Sequence, residues 1–126
     1  MTESARLALV IEDDDDIRRL LEVVLSQAGF VVESAATGSA GVAAARESAP
    51  DLITLDIGLP DIDGYEVARR LREFYRNHLV MLSARSETYD AALGLEVGAD
   101  AYLTKPFRPR QLREVLGRIL SEAPVD

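Results

Sequence analysis

The 126-residue sequence contains no cysteine, a single histidine and a single lysine. The absence of cysteine excludes thiol catalysis, cysteine-ligated zinc and a disulfide scaffold. His78 alone is too little for a histidine metal site or for a histidine-dependent triad with its partners. The chemistry open to this chain therefore rests on carboxylates, hydroxyls and the one ammonium group, that of Lys105.

Long apolar runs and an excess of positive charge are also missing. No apolar segment approaches the roughly 18 residues of a membrane-spanning helix, and Met1–Arg6 lacks the core of a signal peptide. Acidic residues outnumber basic ones by 22 to 14, for a formal charge of −8, which disfavours a sequence-independent nucleic-acid surface. We expect a soluble, cytoplasmic protein that binds neither nucleic acid nor a membrane directly.

Five short apolar segments predict strands that are buried on both faces. Each has at most five residues and is apolar at successive positions, which is typical of a parallel sheet covered by helices on both sides. The segments are Leu7–Ile11, Phe30–Val32, Leu52–Leu55, Leu79–Leu82 and Ala101–Leu103.

Segments with helical spacing separate the predicted strands. Apolar residues recur three and four positions apart, Gly29 marks the end of the first helix, and Pro109 marks the start of the last. The five predicted helices are Ile17–Ala28, Ser39–Ser48, a segment after Gly64 through Phe74, Thr88–Val97, and the segment after Pro109 through Leu120.

The alternation of strands and helices predicts an α/β fold with right-handed crossovers. We expect a doubly wound five-stranded parallel sheet of order 2-1-3-4-5, the flavodoxin-like arrangement, with five helices. Residues 1–126 are predicted to form a single domain with a core of about 6–120, while 121–126 is a tail or the start of a linker. The functional crevice of such a sheet lies beyond the carboxyl ends of the first and third strands.

Polar side chains follow four of the five predicted strands. The first strand is followed by the acids Glu12–Asp16, the third by Asp56, the fourth by Ser83, and the fifth by Thr104 and Lys105. Because the carboxyl ends of parallel strands meet at one edge of the sheet, we expect these groups to lie close together.

The grouping of Glu12, Asp13 and Asp56 in one crevice calls for protonation or a cation. Like charges about 4 Å apart cost a few kcal/mol per pair at an effective dielectric near 20. Oxygen ligands without histidine or cysteine favour Mg²⁺ or Mn²⁺. A metal with Lys105 could neutralise a phosphoryl group, to which Ser83 could donate a hydrogen bond. Asp56 could then be the nucleophile, forming an acyl phosphate.

Individual residues also have simpler interpretations. Asp14–Asp16 fit a helix N-terminus, and we expect one of them to be the N-cap. Asp56 alone could cap a turn, and Ser83 or Lys105 alone could be an ordinary surface group. Only their joint placement on four loops indicates a site. His78 falls at the opposite end of the sheet and is expected to be a loop residue, not a phosphate carrier.

The sequence resembles the receiver domain of two-component response regulators from about Arg6 to Leu120. The resemblance implies a phosphoacceptor signalling domain that catalyses only its own phosphorylation and dephosphorylation and is otherwise not an enzyme. It rests on the motifs Val10-Ile11-Glu12-Asp13-Asp14, Asp51-Leu52-Ile53-Thr54-Leu55-Asp56, Leu59-Pro60-Asp61-Ile62-Asp63-Gly64, Met81-Leu82-Ser83-Ala84 and Gly98-Ala99-Asp100-Ala101-Tyr102-Leu103-Thr104-Lys105-Pro106-Phe107.

The resemblance also implies specific roles in phosphoryl transfer. Asp56 would accept the phosphoryl group from a phosphohistidine of a sensor histidine kinase or His-phosphotransfer protein. Asp13 and Asp56 would ligate Mg²⁺ (or Mn²⁺) directly, and Glu12 largely through water. The main-chain carbonyl of Gly58 would complete the protein ligands, and Lys105 would contact the phosphoryl group.

The resemblance further implies a conformational switch. Phosphorylation adds about −1.5 to −2 charge and three acceptor oxygens. Ser83 would move to bond one of these oxygens, vacating space for the ring of Tyr102, the switch aromatic. The surface of the fourth helix, fifth strand and fifth helix would change and be read by an effector or by an output domain. Lys105-Pro106 is expected to be a cis peptide.

Two features depart from the family pattern. Gly58 has no side chain where the family usually has a larger one, which predicts that water reaches the acyl phosphate, with Arg85 partly covering it. The paired charges of the family's standard dimer are lost, although Asp100 remains. The residues at the positions of these charges are Ala91, Val97, Ala101, Gln111 and Val115. Whether the chain forms a phosphorylation-dependent dimer is therefore left open.

Three alternatives remain at this point. The chain could be a stand-alone receiver or a receiver from a longer transcriptional or enzymatic regulator. A Mg²⁺-dependent phosphatase with an Asp nucleophile is a remote alternative, because its second Asp, two positions on, would fall on Gly58. A degenerate receiver is disfavoured because no site residue is missing. The sequence identifies neither kinase, stimulus nor output.

Overall fold

The computed structural model describes residues 6–83 and 98–121, which form five strands and four helices. The strands are β1 (Arg6–Ile11), β2 (Phe30–Ala35), β3 (Leu52–Asp56), β4 (His78–Ser83) and β5 (Ala101–Thr104). The helices are α1 (Asp15–Gln27), α2 (Gly38–Ser48), α3 (Gly64–Arg72) and α4 (Pro109–Ser121). The fourth predicted helix in chain order, Thr88–Val97, lies outside the described residues.

The strands form one parallel sheet in the order β2-β1-β3-β4-β5, which confirms the predicted topology. The register pairs Ile11 with Leu55 and Asp56 with Leu82, so β1, β3 and β4 end at the same edge. Ser83 pairs with Thr104, which brings β5 to that edge as well. The order therefore places the first and third strands side by side, with their carboxyl ends facing the same crevice.

Both faces of the sheet are covered by helices, which explains the continuous apolar strands at its centre. The prediction that the second strand is buried on both faces is wrong, because β2 lies at the edge of the sheet and its Val31 is 55% exposed. One apolar cluster packs α1 and α4 on one face, and a second packs α2 and α3 on the other. Successive residues of β1 serve the two clusters in turn: Val10 belongs to the first and Ile11 to the second. None of the helices among the described residues is long and apolar enough to cross a membrane.

The helix ends match the sequence signals, with one exception. Asp14 is the N-cap of α1, where its side chain accepts a hydrogen bond from the Ile17 N–H at 3.0 Å. Gly29 follows that helix with φ +97°, a conformation that favours glycine. The prediction that Phe74 lies in the third helix is wrong, because α3 ends at Arg72. Phe74 instead packs against Arg46, whose guanidinium lies 4.3 Å from the ring centroid.

Thr54, in the middle of β3, is a polar side chain inside the core. It is fully buried between its register neighbours Val10 and Val80. Among the described residues, its Oγ1 is the buried side-chain polar atom without a hydrogen-bond partner. Burial of an unpaired hydroxyl lowers the stability of the fold.

We expect Thr54→Val to raise the free energy of unfolding by about 1 kcal/mol, because valine has the same shape without the unpaired hydroxyl. Urea denaturation with an unchanged m-value would measure the gain. Thr37→Val is the matched control. Its Oγ1 accepts the Ala40 N–H at 3.1 Å and caps α2, so this variant should lose about 1 kcal/mol. An equal loss of unfolding free energy in Thr54→Val and Thr37→Val would contradict the conclusion that the Thr54 hydroxyl is unpaired.

Candidate phosphoacceptor site

Three carboxylates meet where β1 and β3 end. The side chains of Glu12, Asp13 and Asp56 each offer an oxygen, and these oxygens all lie within 4.8 Å of one another. Glu12 and Asp56 are buried, while Asp13 is exposed. The sheet order thus brings together residues 44 positions apart in the chain.

Lys105 joins two of these carboxylates. Its Nζ donates hydrogen bonds to Glu12 Oε1 and to Asp56 Oδ1, both at 2.9 Å. The residue follows β5, and its backbone N–H donates to the Ser83 carbonyl at 2.6 Å, which extends the pairing of β4 and β5 by one residue. The Lys105–Pro106 peptide bond is cis, as the resemblance implies.

Burial sets the electrostatics of this group. It raises the pKa of Glu12, as does the nearby Asp56 charge, although the hydrogen bond from Lys105 opposes the rise. Burial alone would lower the pKa of Lys105, but its bonds to the two carboxylates raise it. The ammonium therefore stays charged. One cation against three carboxylates leaves the cluster with an excess of negative charge.

The donor set fits a divalent metal ion. Carboxylate oxygens are hard ligands, and hard divalent cations such as Mg²⁺ bind through one or two carboxylates while keeping several waters. The exposed Asp13 next to two buried carboxylates leaves one side of the cluster open to solvent. Nitrogen and sulfur donors, which favour zinc or copper, do not take part in this group of residues.

An open pocket of about 410 Å³ lies beside Asp56. Asp56, Ser83 and Lys105 line it together with Gly58, so four of the predicted site residues face one space. Ser83 is buried at the end of β4, directly across from Thr104. Gly58 lines the same pocket and is exposed; a β-carbon there would meet only Asp56 Oδ2, at 3.9 Å.

Tyr102 lies on β5 outside this pocket. Its half-buried ring packs against the cluster that contains α2 and α3, and it pairs with Met81 in the register. Two further predictions fall outside the described residues: the partial cover of the acyl phosphate by Arg85, and the part of the switch surface on the helix Thr88–Val97. Ala101, one position earlier, is only 3% exposed and belongs to the core, so it is not part of an exposed dimer face.

The structure differs from the sequence-based predictions at His78 and at Arg18. His78 is the first residue of β4 and not a loop residue, because it pairs with Leu52 at the end of the sheet away from the carboxylates. The sequence did not indicate Arg18, whose Nη1 donates to the Glu12 carbonyl at 3.1 Å and which also pairs with Asp15. Helical spacing alone carries no signal for such a contact.

Asp61 and Asp63 belong to one motif in the sequence, which does not distinguish their roles. Asp63 lines the pocket and caps α3 by accepting the Tyr65 N–H at 2.7 Å. Asp61, two residues earlier, turns away to α2, where it accepts two backbone N–H groups. The trajectory of the loop decides between these outcomes, and the sequence does not specify that trajectory.

Comparison with known proteins gives consistent matches. The family model of the response regulator receiver domain matches residues 8–117. Transcriptional regulatory protein AfsQ1 of Streptomyces coelicolor is 46% identical over 114 residues, covering 87% of this chain and 51% of that protein. The alkaline phosphatase synthesis transcriptional regulatory protein PhoP of Bacillus subtilis is 40% identical over 118 residues, covering 93% of this chain and 49% of that protein.

A solved structure gives the same result. Chemotaxis protein CheY4 of Vibrio cholerae superposes with a TM-score of 0.84 at 30% identity, covering 92% of this chain and 99% of that chain. The chain spans about half the length of the curated relatives that it matches.

Proposed function

Since the chain belongs to the response regulator receiver domain family, we propose that it is a phosphoacceptor switch in which Asp56 receives a phosphoryl group. The donor is a phosphohistidine of a sensor histidine kinase or of a His-phosphotransfer protein. One observation carries the proposal: the buried Asp56 carboxylate is held by Lys105 at 2.9 Å and lines an open pocket together with Ser83.

The proposed transfer is a displacement at phosphorus. Lys105 holds Asp56 Oδ1, which leaves Oδ2, the oxygen on the Gly58 side, as the attacking atom. The new bond joins this oxygen to phosphorus, and the bond between phosphorus and the donor imidazole nitrogen breaks. The imidazole leaves with the bonding electron pair, and the product on the receiver is a carboxyl phosphate.

A divalent metal, Mg²⁺ or Mn²⁺, would supply charge neutralisation for the phosphoryl oxygens. We propose that Asp13 and Asp56 hold it directly, that Glu12 acts largely through water, and that the Gly58 carbonyl is a further ligand. The fit is supported by three carboxylate oxygens within 4.8 Å of one another and by Gly58 lining the same pocket as Asp56.

Lys105 and Ser83 are proposed to bind the transferred group. After transfer, the ammonium that now contacts Asp56 Oδ1 can move to a phosphoryl oxygen, and the hydroxyl of Ser83 can donate to another. We propose that this shift of Ser83 admits the ring of Tyr102. The changed surface around β5 and its flanking helices is then recognised by a partner.

Incubation with acetyl phosphate and Mg²⁺, followed by intact mass measurement, tests the proposal. The expected result is a gain of one phosphoryl group that requires the metal. No gain with acetyl phosphate, and none with a phosphorylated histidine donor, would overturn it. A parallel assay with a small phosphate ester distinguishes a phosphatase, because a receiver accumulates one phosphoryl group per chain without sustained hydrolysis of the ester, whereas a phosphatase turns the ester over continuously.

The relatives suggest the biological output. AfsQ1 and PhoP are transcriptional regulators about twice as long as the region matched here. We propose that this receiver controls such an output, through an attached module or through a separate effector, without contacting nucleic acid itself. Sedimentation velocity with and without beryllofluoride would separate a phosphorylation-dependent dimer from a monomer that acts through a partner.

Gly58 gives a prediction about phosphoryl lifetime. A β-carbon at this position has room, since its one near neighbour is Asp56 Oδ2 at 3.9 Å. We expect Gly58→Met to lengthen the half-life of the phosphorylated protein about threefold to tenfold, because the side chain would shield the acyl phosphate from attacking water. Loss of the mass adduct over time measures the half-life.

The matched control for that variant is Gly117→Met, whose position on α4 is exposed and open. Its half-life should equal that of the parent chain. An unchanged half-life in Gly58→Met would show that this position does not limit the access of water.

A further inference from the structure

The segment between β3 and α3, residues 57–63, runs along the rim of the site and is attached to the fold at its base. There the Gly64 N–H donates to the Ile57 carbonyl at 3.0 Å, and the Ile57 N–H donates to the Leu82 carbonyl at 3.0 Å. A β-carbon on Gly64 would come within 2.4 Å of Ile57 Cα, so the two ends of the segment touch. Gly58 lies in the span between this base and the tip.

The tip of the segment has a separate attachment through Asp61. Its Oδ1 accepts the Gly38 N–H at 2.8 Å and its Oδ2 accepts the Ser39 N–H at 3.0 Å. These are the first two residues of α2, where N–H groups have no partner within the helix. The N-cap residue Thr37 accepts the next N–H, that of Ala40, at 3.1 Å.

The contact between Asp61 and α2 is close and strongly favours the ionised acid. The two N–H bonds from Ser39 and Gly38 lower the pKa of Asp61 to about 2. A β-carbon on Gly38 would lie 2.7 Å from Val67 Cγ2 and 3.3 Å from Asp61 Oδ1. Glycine at position 38 therefore allows the approach of the segment to the helix.

We propose that Asp61 is a positioning residue for the metal site: by tying the tip of the 57–63 segment to α2, it fixes Gly58 beside Asp56. The inference rests on the proposed function, in which the Gly58 carbonyl is a Mg²⁺ ligand. Two residues separate Gly58 from Asp61, and one of them is Pro60, whose ring fixes φ. A displacement of the tip therefore moves the backbone toward Gly58 as well.

The test compares two neighbouring acids in the full chain. Asp61→Ala removes the tie to α2. Asp63→Asn removes one charge from the same segment but keeps an oxygen that can cap α3. Asp63 lines the pocket and Asp61 does not, so a purely electrostatic effect on a bound cation would be at least as large for Asp63→Asn. A positioning role of Asp61 predicts the reverse, namely a larger effect on Mg²⁺ binding for Asp61→Ala than for Asp63→Asn.

We expect Asp61→Ala to raise the Kd for Mg²⁺, measured by titration calorimetry, about threefold to tenfold, and Asp63→Asn to raise it less. The increase in melting temperature on adding Mg²⁺ should shrink in parallel. At saturating Mg²⁺ the rate of phosphorylation by acetyl phosphate should recover. A merely structural role would lower the melting temperature without metal but would leave the Kd unchanged.

Two further variants keep the inference falsifiable if Asp61→Ala does not fold. Asp61→Asn retains one acceptor oxygen and should weaken Mg²⁺ binding by an intermediate factor. Gly38→Ala places a β-carbon against Val67 Cγ2 and Asp61 Oδ1 without changing any charge, and it should weaken Mg²⁺ binding as well. If these variants bind Mg²⁺ as tightly as Asp63→Asn, the inference is wrong. If the unmodified chain binds no Mg²⁺, the proposed function fails and this inference with it.

Discussion

Asp56→Asn is expected to accept no phosphoryl group from acetyl phosphate, whereas the unmodified chain gains one in the presence of Mg²⁺. The amide oxygen that replaces the carboxylate is a far weaker nucleophile, and the substitution also removes a metal ligand. Loss of the attacking group should slow phosphorylation by at least about 1,000-fold. Intact mass spectrometry of samples taken over time would measure the change.

The matched control for Asp56→Asn is Asp51, which directly precedes the same strand at the opposite end of the sheet. Asp51 is exposed, and its Oδ2 accepts the Leu7 N–H at 2.8 Å. Asp51→Asn removes the same charge but can keep this acceptor, so its phosphorylation should match that of the parent chain. If Asp56→Asn still gains a phosphoryl group at the rate of the parent chain, the acceptor is a different residue.

The sheet could be predicted because its physical cause is local. Strands such as Leu52–Asp56 are buried along their whole length, so a continuous apolar run was sufficient to identify them. The strand order followed from the repeated alternation of strand and helix, which admits few topologies. The topology then placed Asp56 and Lys105, 49 residues apart, at one edge, and their side chains are 2.9 Å apart.

Contacts that depend on a loop's path could not be predicted. Asp61 and Asp63 are chemically equivalent in the sequence, yet one caps α2 and the other caps α3. The difference arises from the turn of the backbone around Pro60, and spacing carries no record of that turn. Arg18 likewise reaches the Glu12 carbonyl only because α1 packs close to the end of β1.

Other differences came from the alternation of a strand. The family pattern suggested Ala101 as a surface position, but alternation on β5 turns its side chain into the core. Thr54 lies within an apolar strand segment of the sequence, and its neighbours in the chain give no sign that its hydroxyl lacks a partner. Such details are settled by packing in three dimensions, not by the order of residues.

The second large effect is expected from Lys105→Met in the absence of metal. The ammonium bonds two buried carboxylates, with side-chain exposures of 0% for Glu12 and 6% for Asp56. Without it, two like charges share a buried site. We expect the free energy of unfolding, measured in urea with EDTA at pH 8, to fall by about 3 kcal/mol.

The loss should depend on pH in a definite direction. Burial and the Asp56 charge already raise the pKa of Glu12 in the folded chain, and removing Lys105, which lowers it, raises it further. The unfolded chain releases this proton at a lower pH than the folded chain does. The variant therefore loses stability as the pH rises from the ordinary carboxyl range through the raised folded value, and the deficit is smaller at pH 6 than at pH 8.

Arg110→Met separates this effect from the loss of any positive charge. Arg110 pairs with Glu114 on the surface of α4, and its side chain is 85% exposed, so its removal should change stability by no more than about 0.5 kcal/mol. Mg²⁺ should restore part of the deficit in Lys105→Met, because the cation would take over neutralisation of the carboxylates. Equal stability of the two variants in EDTA at pH 8 would mean that the buried ion pairs give no net stabilisation, so the lysine would be retained for phosphoryl binding alone.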